Sequence, residues 1–165
     1  MTIYRVIGFF FFLLLQVVLF RHVVLFHTAF SFIYLLFLFT RPVETNPLIS
    51  MLVAFAMGLL VDMFYDSAGL HAMASVAMMY LRDFWLTRIT PQGGYERNAN
   101  PTVAANGVQW FLVYSIPLLL VHNSVLFFVE AGGVGYFWIT ILKVIASVTF
   151  TAFILVVYQL FFSKQ

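Results

Sequence analysis

The stretch FFFFLLLQVVLF (Phe9–Phe20) decides the fold class. It is apolar at every position except Gln16, so neither alternate positions nor one helix stripe is left for water. A transmembrane β-barrel strand alternates lipid-facing and lumen-facing residues, and this run does not. Lipid offers the backbone no hydrogen-bond partners, so a run with apolar residues on every side is expected to be a helix. The fold class that follows is all-α, a polytopic membrane protein.

The rest of the chain agrees. Of its 165 residues, 64% are hydrophobic and 8% charged. A soluble domain carries roughly 25% charged residues, so this chain cannot cover a water-facing surface. At about 20 residues per crossing there is room for about five or six spans and no separate soluble domain. The absence of cysteine excludes disulfides and cysteine-ligated metals. A net charge of +2 makes no case for nucleic acid. Arg5 followed by Val6–Phe20 superficially resembles a signal peptide, but Arg21-His22 follows in place of a small-x-small cleavage site. The segment is therefore expected to be a retained first helix.

Short polar breaks divide the apolar sequence into a compact bundle of six predicted transmembrane helices: Ile3–Phe20, Val23–Thr40, Leu48–Phe64, Leu70–Leu86, Val103–Val129 and Val134–Phe162. A single helix over residues 3–40 would far exceed the membrane, so a turn is placed near Arg21-His22. RPVETNP (Arg41–Pro47) is a turn, because its prolines and charges cannot stay helical in lipid. Six spans with the N-terminus inside put Arg5, Arg41, Arg82, Arg88, Arg97 and Lys164 on the cytoplasmic side and only Arg21 outside. This positive-inside bias predicts that both termini are cytoplasmic.

Ser50, Ala54, Gly58 and Asp62 recur every four residues in the third span. Small residues on one face let another helix approach closely, so a packing seam is the preferred reading. Asp62 has two readings, an acid at the water interface or a buried functional group. Lys143 lies roughly 14 Å into the last span, where it either snorkels outward or pairs with a carboxylate. His122, beside Asn123 and after Pro117, reads as an interhelical hydrogen bonder more than a catalyst. Together these suggest one inward-facing cluster of Asp62, His122 and Lys143, with Asp62 opposed to Lys143.

Catalytic patterns fail. The Asp62–Asp66 pair lacks the further carboxylates and the arginine of membrane alcohol phosphotransferases, and GLLVD lacks the neighbouring glycine of membrane aspartyl proteases. No Gly-rich phosphate loop, metal-ligand histidine pair or nucleophile elbow occurs. No catalytic, cofactor or metal site is read, and enzyme activity is not expected. The loop TRITPQGGYERNANPT (Thr87–Thr102) is either a solvated connector or, through Arg82, Arg88 and Arg97, a contact for a cytoplasmic partner. The 21 phenylalanines need no ligand, since rings fill lipid-facing helix surfaces.

Residues 58–85, GLLVDMFYDSAGLHAMASVAMMYLRDFW, resemble the rod shape-determining MreD family, in the form found in Bacteroidetes-type bacteria. AFSFIYLLFLFTRPVETN (Ala29–Asn46) and LLVHNSVLFFVEA (Leu119–Ala131) resemble that group's second and fifth spans, in the same order and spacing. The resemblance covers most of the chain. Gly58, Asp62, Gly69, Leu70 and His71 fall on the family's most recurrent block, and His122 and Glu130 match the fifth-span pattern. It implies a non-enzymatic, multi-pass component of the bacterial inner membrane within the cell-elongation machinery. Such members associate with MreC and are linked to MreB, RodA and a class B penicillin-binding protein. The substrate-binding subunits of energy-coupling-factor vitamin transporters are similar in size and span count. Their first helix usually carries an Ala-xxx-Ala contact, whereas here no small residue lies between Gly8 and Phe20.

Overall fold

A computed structural model describes residues 2–96 and 99–162. The described chain is mostly helical. Helix α1 (Thr2–Leu14) continues through a π-helical turn (Leu15–Leu19) and a 3-10 turn (Phe20–His22). A two-stranded hairpin follows, β1 (Val24–Leu25) and β2 (Ala29–Phe30), pairing Val24 with Phe30 and Leu25 with Ala29. Then come α2 (Leu35–Phe39), α3 (Pro47–Tyr65), α4 (Leu70–Arg88), α5 (Val103–Glu130) and α6 (Phe137–Phe162).

Four helical stretches are long and apolar enough to cross a membrane: Ile3–His22, Pro47–Tyr65, Val103–Glu130 and Phe137–Phe162. Their outward side chains suit that solvent. Phe10, Leu52, Phe55, Leu142, Phe153 and Leu160 all stand exposed. Helix α4 equals α3 in length but carries His71, Ser75 and Arg82, all buried on its inward side.

The helix boundaries follow local chemistry. Asn46 caps α3 by accepting from the Leu48 amide at 2.9 Å, with Pro47 in the first turn, where its missing N–H costs nothing. Thr102 caps α5 through the Ala105 amide. Pro117 is accommodated inside α5, and Gly107, at φ 83° and ψ 162°, breaks that helix near its start. The last helix begins at Phe137, three residues later than expected, because Gly132 and Gly133 take positive φ in the preceding turn.

The main correction concerns residues 23–40, expected to be a helical span. They form the hairpin, an extended stretch through Phe32, and i→i+3 turns leading into the five-residue α2. This segment is the centre of the fold. Ile33, Tyr34, Leu35, Leu38 and Phe39 are at most 1% exposed, enclosed by the five longer helices. Apolar surroundings forbid free backbone groups, but the prohibition applies to lipid and not to backbone buried in protein that supplies partners.

Those partners are specific side chains. Phe30 N–H donates to Ser147 Oγ (3.0 Å) and Phe32 N–H to Thr151 Oγ1 (3.2 Å), both on α6. Thr151 Oγ1 also donates to the Phe30 carbonyl. The spacing matches: two extended residues advance about 6.6 Å and four helical residues about 6 Å. On the other side Gln16 donates to the Ser31 carbonyl (3.1 Å) and accepts from the Tyr34 amide (3.4 Å). The polar residue in the opening apolar run is therefore a backbone partner for the broken segment. Thr151→Val, equal in size but unable to bond, leaves the Phe32 amide unpaired. It is expected to lower stability by about 2 kcal/mol, seen as a lower melting midpoint of the detergent-solubilised protein.

Candidate functional site

Two of the third-span residues, Gly58 and Asp62, meet α4 directly. Ser50, Ala54, Gly58 and Asp62 are all buried, and α3 packs most extensively on α4. A Cβ on Gly58 would stand 2.5 Å from Ala72 Cα and 2.7 Å from the His71 carbonyl carbon, so two backbones are in contact there. One turn further on, Asp62 reaches across the hairpin. Its Oδ1 accepts from the His71 amide (2.9 Å) and its Oδ2 from the Ala72 amide (2.9 Å).

These are orphan donors in the first turn of α4, so Asp62 caps a helix that its own helix does not contain. Ser67 Oγ (2.6 Å) and His71 Nδ1 (2.9 Å) complete the carboxylate's shell. The reversal between the helices uses Asp66 (φ 52°) and Gly69 (φ 86°), both left-handed. Aspartate tolerates that conformation through its short polar side chain, and glycine has no Cβ to clash.

Beside this hairpin lies a second polar group. The Tyr34 hydroxyl bridges Ser75 Oγ (3.1 Å) and His122 Nε2 (2.8 Å), tying the broken segment to α4 and α5. The Phe32 ring packs against both His71 and His122, at centroid distances of 5.6 and 5.4 Å. A cavity of about 110 Å³ opens next to them, lined by Phe32, Tyr65, Ser67, His71, Phe127 and Glu130.

The expected opposition of Asp62 and Lys143 is not formed. Lys143 Nζ binds Glu130 Oε2 at 2.6 Å, with its ammonium 4.5 Å from the Phe127 ring centroid and 4.9 Å from that of Phe30. Both ends of this pair stay partly exposed, at 25% and 49%, and Glu130 already supplies Lys143 with a carboxylate. Asp62 takes His71 instead, nine residues along the chain and brought round by the hairpin. His122 hydrogen-bonds the Tyr34 hydroxyl in the broken segment, not Asp62 or Lys143.

At the opposite end, the arginines expected to meet a cytoplasmic partner divide. Arg82 is wholly buried. Its Nε donates to the Tyr114 hydroxyl (2.7 Å) and its Nη2 to the Arg41 carbonyl (2.5 Å), while Tyr114 donates to the Phe39 carbonyl (3.0 Å). It thus secures the exit of α2 and is not available to a partner. Arg88 is exposed at the end of α4, 4.4 Å over the Phe84 ring. Arg97 lies outside the described residues.

Sequence reading passed over Gln16, Tyr34, Ser147 and Thr151. Their signal was present as isolated polar residues in apolar runs, with Ser147 and Thr151 one helical turn apart. What the arrangement does chemically is hold helices in place: the carboxylate, the arginine and the glutamine all serve backbone groups. Among the described residues no three His, Asp or Glu side chains converge into a group that could hold a metal ion. Compared with known proteins, the chain matches no family model, no curated protein and no solved structure.

Proposed function

We propose that this chain is a non-enzymatic membrane scaffold of the MreD type. It would cross the bacterial inner membrane six times with both termini in the cytoplasm, and help position peptidoglycan synthesis with MreC, MreB, RodA and a class B penicillin-binding protein. The observation that carries this reading is the architecture of Gly58–Trp85, the strongest part of the resemblance. Its distinctive residues Gly58, Asp62, Gly69 and His71 build one rigid helical hairpin. The outer side of that hairpin is an open apolar groove lined by Phe55, Leu59, Ala72, Met73, Ala77 and Tyr80. In lipid, helices associate where small residues admit close packing, so the groove suits the membrane helix of the MreC-type partner.

Support for a sixth crossing comes from the broken segment. Arg21 lies over the Tyr65 ring at one end of the bundle, whereas Arg41 shares a cavity with Arg5 at the other. From Ala29 to Thr40 the path measures about 25 Å, close to a hydrocarbon thickness. The vitamin-transporter alternative needs a ligand-sized chamber, typically about 300–1,000 Å³. The cavity beside His71, at about 110 Å³, falls short of that range.

Ala77→Trp fills the groove without touching the seam beneath it. The expected result is loss of MreC co-purification from the native membrane, with an unchanged yield of monodisperse protein. Full retention of MreC by the tryptophan variant, or capture of vitamin-transporter subunits by the unmodified chain, sinks the assignment.

A further inference from the structure

The Arg5–Arg41 end of the bundle contains a second cavity, of about 310 Å³, between the first turns of α1 and the chain leaving α2. It is lined by Tyr4, Arg5, Gly8, Phe37, Thr40 and Arg41, together with Pro42 and Asn100. We propose that this cavity binds the phosphate of an anionic phospholipid headgroup, with Arg5 and Arg41 as its cationic donors.

The charges there are unbalanced. Arg5 and Arg41 form no ion pair among the described residues, and the buried Arg41 Nε has no hydrogen-bond partner. Arg82 adds a third cation nearby. Burial first, then the positive charges of Arg5 and Arg82, hold the Arg41 guanidinium below its usual pKa. Two carboxylates of the adjoining elements face elsewhere: Asp83 pairs with Arg82, and Glu44 and Asp83 line a separate cavity with Thr45 and Thr87. Like charges gathered at a low-dielectric boundary repel unless an anion joins them.

The shape of the cavity selects the kind of anion. Cationic and hydroxyl groups stand beside apolar lining from Gly8 and the Phe37 ring. A phosphodiester with a glycerol and acyl stem satisfies both parts, whereas free phosphate satisfies only the first. A basic pocket between membrane helices is a recognised form of headgroup site. Arginine gives phosphate two parallel donors, and neither Arg5 nor Arg41 spends its own on a carboxylate among the described residues.

The test uses the purified full chain in detergent and measures how its melting midpoint rises with added short-chain lipid. Because no partner protein is present, its outcome is independent of the MreC assignment. Dihexanoyl-phosphatidylglycerol is expected to stabilise the chain, and dihexanoyl-phosphatidylcholine to do so only weakly. R5Q and R41Q should each raise the phosphatidylglycerol concentration required by about tenfold. R5Q alters an exposed side chain, so it remains informative if R41Q folds poorly. R88Q, outside the cavity, should leave the requirement unchanged. Equal stabilisation by phosphatidylcholine, or an equal effect of R88Q and R5Q, overturns the site. Inorganic phosphate acting as strongly as phosphatidylglycerol overturns the lipid assignment in favour of a soluble phosphate.

Discussion

Replacing Gly58 with alanine is expected to destabilise the protein by about 2 kcal/mol, and replacing it with valine to abolish folded protein. Two effects oppose each other in the alanine variant. Glycine inside a helix costs about 1 kcal/mol relative to alanine, so the substitution favours α3 taken alone. Against this, the new Cβ lies 2.5 Å from Ala72 Cα and 2.6 Å from Ala72 N, atoms that no rotamer change can move. The helices must separate, and overpacking of this kind costs about 1–3 kcal/mol. Separation also lengthens the two Asp62 bonds to α4 one turn away, which places the loss at the upper end.

Gly8 provides the control. A Cβ there meets only the Phe37 ring, at an ordinary 3.7 Å. Gly8→Ala should therefore be neutral or slightly stabilising. The comparison is read from melting midpoints and from size-exclusion profiles of the solubilised variants. Equal behaviour of the two alanine variants would show that α3 and α4 do not touch at Gly58.

The second large effect is expected at Asp62. Asp62→Ala removes the acceptor for two first-turn amides of α4 and leaves Ser67 and His71 without their shared partner. Buried donors left unpaired cost about 1–3 kcal/mol each, and part of the hairpin end can rehydrate. A total loss of about 3 kcal/mol follows. Asp62→Asn keeps one acceptor oxygen and should lose roughly half as much.

Double-mutant cycles identify the partner. Asp62→Asn combined with His71→Gln should be non-additive, because the two side chains touch. Asp62→Asn with Lys143→Met should be additive, because Lys143 belongs to Glu130. Lys143→Met alone should change stability little, since exposed ion pairs contribute about 0–1 kcal/mol. Strong coupling between Asp62 and Lys143 would contradict the hairpin cap directly.

Much of this was legible in the chain itself. The all-apolar runs require helices wherever lipid is the solvent, and α3 and α5 begin and end within two residues of their expected limits. The four-residue spacing from Ser50 to Asp62 marked a helix face, and that face is buried, with Gly58 and Asp62 against α4. These features are local. Spacing along one helix determines which residues share a face, and hydropathy determines which segments avoid water.

Only the tertiary structure decided the rest. Residues 29–34 carry no mark of being non-helical, because their conformation depends on Ser147 and Thr151, more than 115 residues away, and on Gln16. An apolar run becomes helical if lipid surrounds it and can unwind if polar side chains from neighbouring helices receive its backbone. The same reasoning covers the charges. Depth along a span placed Asp62 and Lys143 in one half of the bundle, but azimuth and helix order chose their partners, His71 and Glu130. Arg82 counted toward a cytoplasmic surface because sequence shows a charge near a helix end. Burial followed from Tyr114 and the Arg41 carbonyl closing around it, an arrangement that exists only once α2, α4 and α5 are assembled.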